Sequence, residues 1–310
     1  MLKSKDLLGL KDLSAEEIYE ILDTAAQMKK LLVSDCKAAD TLRGKALVTL
    51  FYENSTRTRS SFELAAKYLG ASEVNISVAT SSVQKGETLI DTGETLDAMK
   101  IDFVVIRHPM AGAPKLLAEH VRASVLNGGD GMHEHPTQAL LDFYTMREAK
   151  GSFKGLKVAI LGDIKHSRVA LSNILGLKKL GAEVSVYAPA TMMPKEIEKL
   201  GARVAKSREE AVDGADAVMG LRIQLERQHG GLFPSLSEYA KFYGVNDSVL
   251  KYAKKDAIIL HPGPVNRGVE LTPQLIDGER SLILEQVTNG VAVRMALLKM
   301  LCEYREANGL

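Results

Sequence analysis

The sequence predicts an α/β protein of two lobes, each a mainly parallel sheet flanked by helices. Three observations carry this expectation. Short apolar runs recur at 46–51, 102–106, 124–127, 156–161, 183–187, 217–221 and 257–260, with helical apolar spacing in much of the chain between them. The 310 residues suffice for two cores of about 150 residues each. Gly151-Ser152-Phe153-Lys154-Gly155 has linker composition between a helical pattern and a new strand. The lobes are therefore expected at 1–150 and 151–284, with a closing helix, 285–310, packing back onto the first.

Composition narrows the function classes. A net charge of +1 argues against a nucleic-acid-binding face, so any anion site must use a few focused Arg and Lys residues. Cys36 and Cys302 stand far apart without metal-ligand spacing, which disfavours a disulfide framework or zinc cluster. The first ten residues mix Lys and Asp with Leu, and no run approaches the roughly 20 apolar residues of a membrane span. A cytoplasmic location is expected.

In the first lobe, Ser14-Ala15-Glu16-Glu17 is a capping box, and Ile18, Ile21, Leu22 and Ala25 follow at helical spacing. Strand 46–51 runs into Glu53-Asn54-Ser55-Thr56-Arg57-Thr58-Arg59, and 60–69 has the apolar spacing of a helix. Hydroxyls and guanidiniums thus gather at a helix start, where unpaired N–H groups and the dipole favour anions. A phosphate cradle fits, although the glycine-rich loop and Lys of nucleotide-binding P-loops are missing. An ordinary Ser cap followed by solvated Arg fits the local spacing equally well.

Strand 74–78 leads to a hydroxyl-rich loop, 79–86, of a composition usual for solvated surface, and 87–99 is helical. Strand 102–106 ends at Arg107-His108-Pro109, on the carboxyl side where open α/β sheets bind ligands. An Arg in such a turn is, taken alone, more often a surface ion pair. Strand 124–127 precedes an expected flexible break, Gly128-Gly129-Asp130-Gly131. His133, Glu134 and His135 follow, then Pro136 in the first turn of a helix reaching Lys150. Two His around a Glu invite a metal, but they do not form His-Glu-x-x-His and no third ligand clusters with them, so no metal is expected.

In the second lobe, strand 156–161 ends at Gly162-Asp163 without a Gly-x-Gly-x-x-Gly fingerprint, which excludes a dinucleotide. No cofactor is expected. Lys165-His166-Ser167-Arg168-Val169 stands at the next helix start. Strand 183–187 and a short helix, 194–200, come before strand 217–221. That strand runs into Arg222-Ile223-Gln224-Leu225-Glu226-Arg227, by composition a solvated stretch. After a helix at 236–243 and strand 257–260, the alternating prolines of His261-Pro262-Gly263-Pro264 remove donors and leave carbonyls, suited to accept from an amide NH₂ or to form a rigid turn. The pattern at 282–310 places Val291, Ala292, Met295, Leu298 and Leu301 on a helical face.

Phe51-Tyr52-Glu53-Asn54-Ser55-Thr56-Arg57-Thr58 resembles the carbamoyl-phosphate signature of the aspartate and ornithine carbamoyltransferases, and five further segments up to Pro264 match the same family. The resemblance implies that Ser55, Thr56, Arg57 and Thr58 hold carbamoyl phosphate. It also implies that Ser81 and Lys85 belong to a loop reaching into the site of a neighbouring subunit, and hence a homotrimer with shared active sites. Arg107 would serve phosphate and carbonyl oxygen, His135 the carbamoyl oxygen, Gln138 the carbamoyl amide, and the carbonyls of Pro262 and Gly263, beside Pro264, the carbamoyl nitrogen. Arg57, Thr58, Lys85, Arg107 and His135 are the implied catalytic set.

For the acceptor, the family match assigns Arg168 as a carboxylate clamp, with Arg222, Gln224 and Lys85 also toward L-aspartate. Val169 stands where some members carry Thr. His135-Pro136-Thr137-Gln138 is the aspartate-type variant, and the Cys and Ser-Met-Gly of ornithine-type members are absent. An independent electrostatic argument agrees: two guanidiniums facing a substrate suit a dicarboxylate. Glu53 in the first lobe, with Arg168 and Arg227 in the second, would pair on closure. Transfer to ornithine or another amine, or a non-catalytic protein binding a phosphorylated metabolite, remain as alternatives. Regulatory chains or other pyrimidine-pathway enzymes as partners are left open.

Overall fold

Strands 46–51, 124–130, 217–220 and 258–260 are buried on both faces, as parallel strands covered by helices must be, whereas 72–75 is exposed and 183–187 alternates. The computed structural model describes residues 2–77, 86–223 and 235–310. They divide into two compact units, Met1–Leu141 with Thr288–Leu310, and Asp142–Val287. Among the described residues, no helix is long and apolar enough to cross a membrane.

The first unit opens with α1 (Ala15–Leu32), whose capping box forms as expected: Ser14 Oγ accepts from the Glu17 amide at 3.2 Å, and Glu17 returns the bond to the Ser14 amide at 2.9 Å. There follow β1 (Ala46–Phe51), α2 (Thr56–Tyr68), β2 (Ser72–Ser77), α3 (Leu89–Ala98), β3 (Phe103–His108), α4 (Ala113–Ala118), β4 (Ser124–Asp130) and α5 (Pro136–Lys150). The sheet is parallel in the order β2-β1-β3-β4. Val48, Leu50, Val104, Ile106 and Val125 bury one of its faces against Leu96, Leu117 and Val121.

The second unit contains β5 (Lys157–Leu161), α6 (Arg168–Lys179), β6 (Glu183–Tyr187), β7 (Ala202–Val204), α7 (Arg208–Val212), β8 (Ala217–Gly220), α8 (Leu236–Phe242), α9 (Asp247–Leu250), β9 (Ile258–Leu260) and α10 (Pro273–Ile276). Its parallel order is β7-β6-β5-β8-β9. Ala159, Leu161, Val218 and Ile259 pack with Val212, Val249, Leu250 and Leu275 from the covering helices. The division between units falls inside α5 and inside α11 (Ile283–Asn308).

Both sheets are wound outward from an inner strand, which creates a switch point. From β1 the chain adds β2 on one side and then β3 and β4 on the other; from β5 it adds β6 and β7, then β8 and β9. Ligands of open α/β sheets bind beyond the carboxyl ends of strands at such points.

The closing helix packs on the first unit, as expected. The Arg294 guanidinium lies 5.0 Å from the Phe62 ring centroid of α2 and donates to Thr137 Oγ1 of α5 at 3.3 Å. Gly290 allows the close approach, since a Cβ there would sit 2.7 Å from Arg294 Nη1 and 3.1 Å from Leu141 Cδ2, and both side chains would have to shift.

Local expectations differ from the structure in three places. Helix α2 begins at Thr56, four residues before the apolar pattern, because its first turn is the polar segment itself. The expected break at 128–131 is mostly strand: β4 is buried through Asp130, and a Cβ on Gly128 would stand 3.2 Å from the Ile106 carbonyl oxygen. The expected helix at 194–200 is only a 3₁₀ turn, Ile197–Leu200, entered through Glu196 at φ 61°.

Candidate active site

Three neighbouring strand exits of the first unit carry the residues singled out from the sequence. Register pairs Phe51 of β1 with Arg107 of β3, and His108 with Asp130 of β4. Beyond β1, Ser55 is the N-cap of α2, yet its side chain makes no capping hydrogen bond. The N-cap hydroxyls of α1, α3, α6, α7 and α8 all cap, whereas that of Thr272 at α10, like Ser55, does not. In the first turn of α2, Thr56 and Arg57 are exposed and Thr58 is buried; a helix start is a place that favours anions.

Arg107 is fixed from two sides: Nη1 donates to the Gly128 carbonyl at 3.2 Å, and Nε stands 3.3 Å from Glu53 Oε2. The Tyr52 amide donates to the Arg107 carbonyl at 2.9 Å, and the Tyr52 ring lies 4.5 Å from that of His108. His108 Nδ1 accepts from the Met110 amide at 3.0 Å, and burial pushes its pKa below the usual histidine value. That ring is neutral at pH 7 and structural.

His135 immediately precedes α5; it is buried, and its carbonyl accepts from the Gln138 amide at 3.0 Å. Pro136 occupies the first helical position, as expected. Asp130 organises this approach. Its Oδ1 accepts from Asn127 Nδ2 at 2.9 Å and the Glu134 amide at 3.0 Å, while Oδ2 accepts from the Gly112 amide at 2.8 Å and pairs with His133 Nδ1 at 3.0 Å. Glu134 in turn accepts from the Leu10 amide at 2.7 Å. His133 and Glu134 thus have structural partners. Among the described residues no group of three or more His, Cys, Asp or Glu side chains could hold a metal.

The second unit repeats the arrangement at the exits of β5, β8 and β9, where register pairs Leu161 with Gly220 and Met219 with Leu260. Ser167 caps α6 through the Ala170 amide at 3.2 Å, placing Arg168, only 3% exposed, in the first turn. Asp163 steadies the preceding loop through His166 Nδ1 at 2.8 Å. Arg222 stands two residues beyond β8, half-buried. Glu270 accepts from the Ile223 amide at 2.9 Å and from the amide and side chain of Asn266 at 2.9 and 2.6 Å. Burial is the main cause raising the Glu270 pKa above the ordinary carboxylate value.

His261 opens the turn after β9. Its Nδ1 accepts from the Gly263 amide at 2.8 Å, which leaves the proton of a neutral ring on Nε2. The Gly263–Pro264 peptide is cis, and Gly263 has φ 65°. Pro262 and Gly263 are half-buried, and Pro264 is exposed.

Ser81, Lys85, Gln224 and Arg227, with residues 79–85 of the loop expected at 79–86, lie outside the described residues. The sequence reading gave no role to Asp130 or Glu270 and weighed Glu134 only as a metal ligand, although all three touch the chain beside the site residues. A lone acid between glycines or in an apolar run was the one available signal, and its many backbone donors are visible only in three dimensions.

Comparison with known proteins agrees with this geometry. Residues 5–148 match the carbamoyl-P binding domain of aspartate/ornithine carbamoyltransferases, and residues 154–301 match the Asp/Orn binding domain. The chain is 66% identical over 300 residues to an aspartate carbamoyltransferase catalytic subunit of Ruminiclostridium cellulolyticum, covering 97% of this chain and 96% of that protein. A protein of the same name from Acetivibrio thermocellus is 67% identical over 301 residues, with the same coverage. Aspartate transcarbamoylase from Trypanosoma cruzi, solved with carbamoyl phosphate and aspartate, superposes with TM-score 0.85 at 31% identity, covering 96% of this chain and 95% of that one. Ornithine carbamoyltransferase from Pyrococcus furiosus gives 0.84 at 32% identity, covering 94% and 95%. With arginines at the strand exits beside both switch points and both family domains matched along the sequence, the chain belongs to the aspartate/ornithine carbamoyltransferase family.

Proposed function

We propose that this protein transfers the carbamoyl group of carbamoyl phosphate to the amine of L-aspartate, giving N-carbamoyl-L-aspartate and phosphate, a step of pyrimidine synthesis. The observation that carries the choice of acceptor is the 66–67% identity, over nearly the whole chain, to catalytic subunits of aspartate carbamoyltransferases. The fold does not separate acceptors, since aspartate and ornithine enzymes superpose equally well. Arg168 and Arg222 in the second unit support a dicarboxylate.

Residues 1–150 with 285–310 act as the carbamoyl-phosphate-binding domain and 151–284 as the aspartate-binding domain. Carbamoyl phosphate is already activated, so no nucleophilic Ser or Cys is needed. The α2 start, with Ser55, Thr56, Arg57 and Thr58, takes the phosphate. Arg107, Thr58 and His135 donate to the oxygen that gains charge as the amine attacks. One such donor contributes about 3 kcal/mol in other acyl-transfer enzymes, and orientation supplies much of the remainder. Gln138 and the carbonyls of Pro262 and Gly263 orient the carbamoyl amide, and Pro264 borders that site. Arg168, Arg222 and Gln224 hold aspartate. Ser81 and Lys85 come from a neighbouring subunit of a cytoplasmic homotrimer. Glu53 pairs with Arg168 and Arg227 on closure, and the departing phosphate accepts the proton of the amine.

Phosphate release from carbamoyl phosphate with L-aspartate or L-ornithine, measured alongside the solution mass, tests this reading. Release with aspartate alone and the mass of a trimer are expected. Release only with ornithine would overturn the choice of acceptor.

A further inference from the structure

Within the second unit, three buried polar side chains form a chain that the proposed reaction does not use directly. Asp142 Oδ1 accepts from Gln286 Nε2 at 2.7 Å, and Oδ2 accepts from Asn173 Nδ2 at 2.8 Å. Asp142 and Asn173 are wholly buried and Gln286 nearly so. Each amide has a second bond. Gln286 Oε1 accepts from the His261 amide at 2.9 Å, at the head of the 261–264 turn. Asn173 Nδ2 also donates to the carbonyl of Val169 at 3.0 Å, one residue beyond Arg168.

The donor and acceptor inventory makes this arrangement directional. An ionised carboxylate only accepts, so Asp142 draws the NH₂ of both amides toward itself and thereby turns the Gln286 oxygen toward His261. We propose that Asp142, acting through Gln286 and Asn173, is the positioning residue that holds the 261–264 turn and the first turn of α6 in one fixed relation. The acceptors for the carbamoyl amide and the Arg168 clamp are then set together. This rests on the functional reading above, which supplies the roles of Pro262, Gly263 and Arg168.

A reciprocal exchange tests it. Asp142→Asn turns one N–H group toward another, and Gln286→Glu sets two carboxylates against each other. In the double variant Asp142→Asn/Gln286→Glu, Glu accepts from the His261 amide and from the new Asn, whose oxygen accepts from Asn173. Each of the four hydrogen bonds named above is retained and the charge moves by one side chain.

The measurements are kcat and the KM for each substrate from phosphate release, with the melting temperature of each variant. Each single variant is expected to raise the aspartate KM about tenfold or more, the scale of one unsatisfied buried polar group. The exchange is expected to return it to within about threefold of the parent. Single variants that melt earlier but keep both KM values within twofold would overturn the proposal, leaving a stabilising network only. If neither single variant folds, the exchange decides: parental KM values support the proposal, whereas a misfolded exchange, or a folded one with KM still tenfold high, overturns it. A parent protein that releases no phosphate with aspartate overturns the functional reading and this proposal with it, an outcome distinct from an active parent with indifferent variants.

Discussion

Replacing Glu53 by Gln removes one charge and little volume beside Arg107, so its consequences can be worked through. Glu53 Oε2 stands 3.3 Å from Arg107 Nε, with side chains 21% and 15% exposed. At an effective dielectric of about 20 the Coulomb attraction at that distance is about 5 kcal/mol. Desolvation and side-chain ordering offset most of this, and pairs reached by solvent retain about 1 kcal/mol. A phosphate arriving at Arg107 must compete with that pair. Glu53→Gln should therefore leave carbamoyl phosphate affinity unchanged or tighten it by up to about fivefold, the equivalent of 1 kcal/mol. If Glu53 also pairs with Arg168 and Arg227 on closure, the aspartate KM rises and kcat falls, each by about tenfold. Isothermal titration with carbamoyl phosphate and initial rates against aspartate measure the two sides separately. Equal weakening toward both substrates would refute the argument.

Three further outcomes are expected. His135→Ala should lower kcat by about 10²–10³ through loss of one donor to the developing oxyanion, without abolishing turnover or moving the alkaline limb of the pH profile; complete loss would make His135 the proton acceptor. Glu270 has a raised folded-state pKa, so its contribution to stability is full below the unfolded value of 4.5 and is lost as pH rises through the folded one; denaturation followed from pH 4 to 7 should show a shallower decline in Glu270→Gln than in the parent. Dialysis against a chelator should leave the rate of phosphate release unchanged, and restoration of a lost rate by zinc would contradict the structural roles of His133 and Glu134.

Legibility in the sequence followed locality. The capping box at Ser14 and Glu17 and the Pro136 helix start involve residues within one turn, and both are as the pattern predicts. The inner strands were legible because parallel strands covered on both faces are nearly continuous apolar runs, and β2 and β6 because they alternate. The short elements α4, β7, α7, α9 and α10 have three to six residues, too few for any period to emerge. At the site, Arg57, Arg107, Arg168 and Arg222 could be named from motifs, because basic groups at strand exits are written in consecutive residues. The acids behind them could not. Asp130 is bonded to Gly112, 18 residues away, and Glu270 to Ile223, 47 residues away, and neither separation leaves a mark in local composition.

The first unit is discontinuous, and this has a consequence for how the chain is made. Phe62 and Thr137 meet Arg294 only after residues 288–310 have left the ribosome, whereas everything in 142–287 emerges earlier. During vectorial synthesis the half that begins first is completed second, and a nascent chain stalled before residue 288 carries an unfinished apolar face for chaperones or proteases to find.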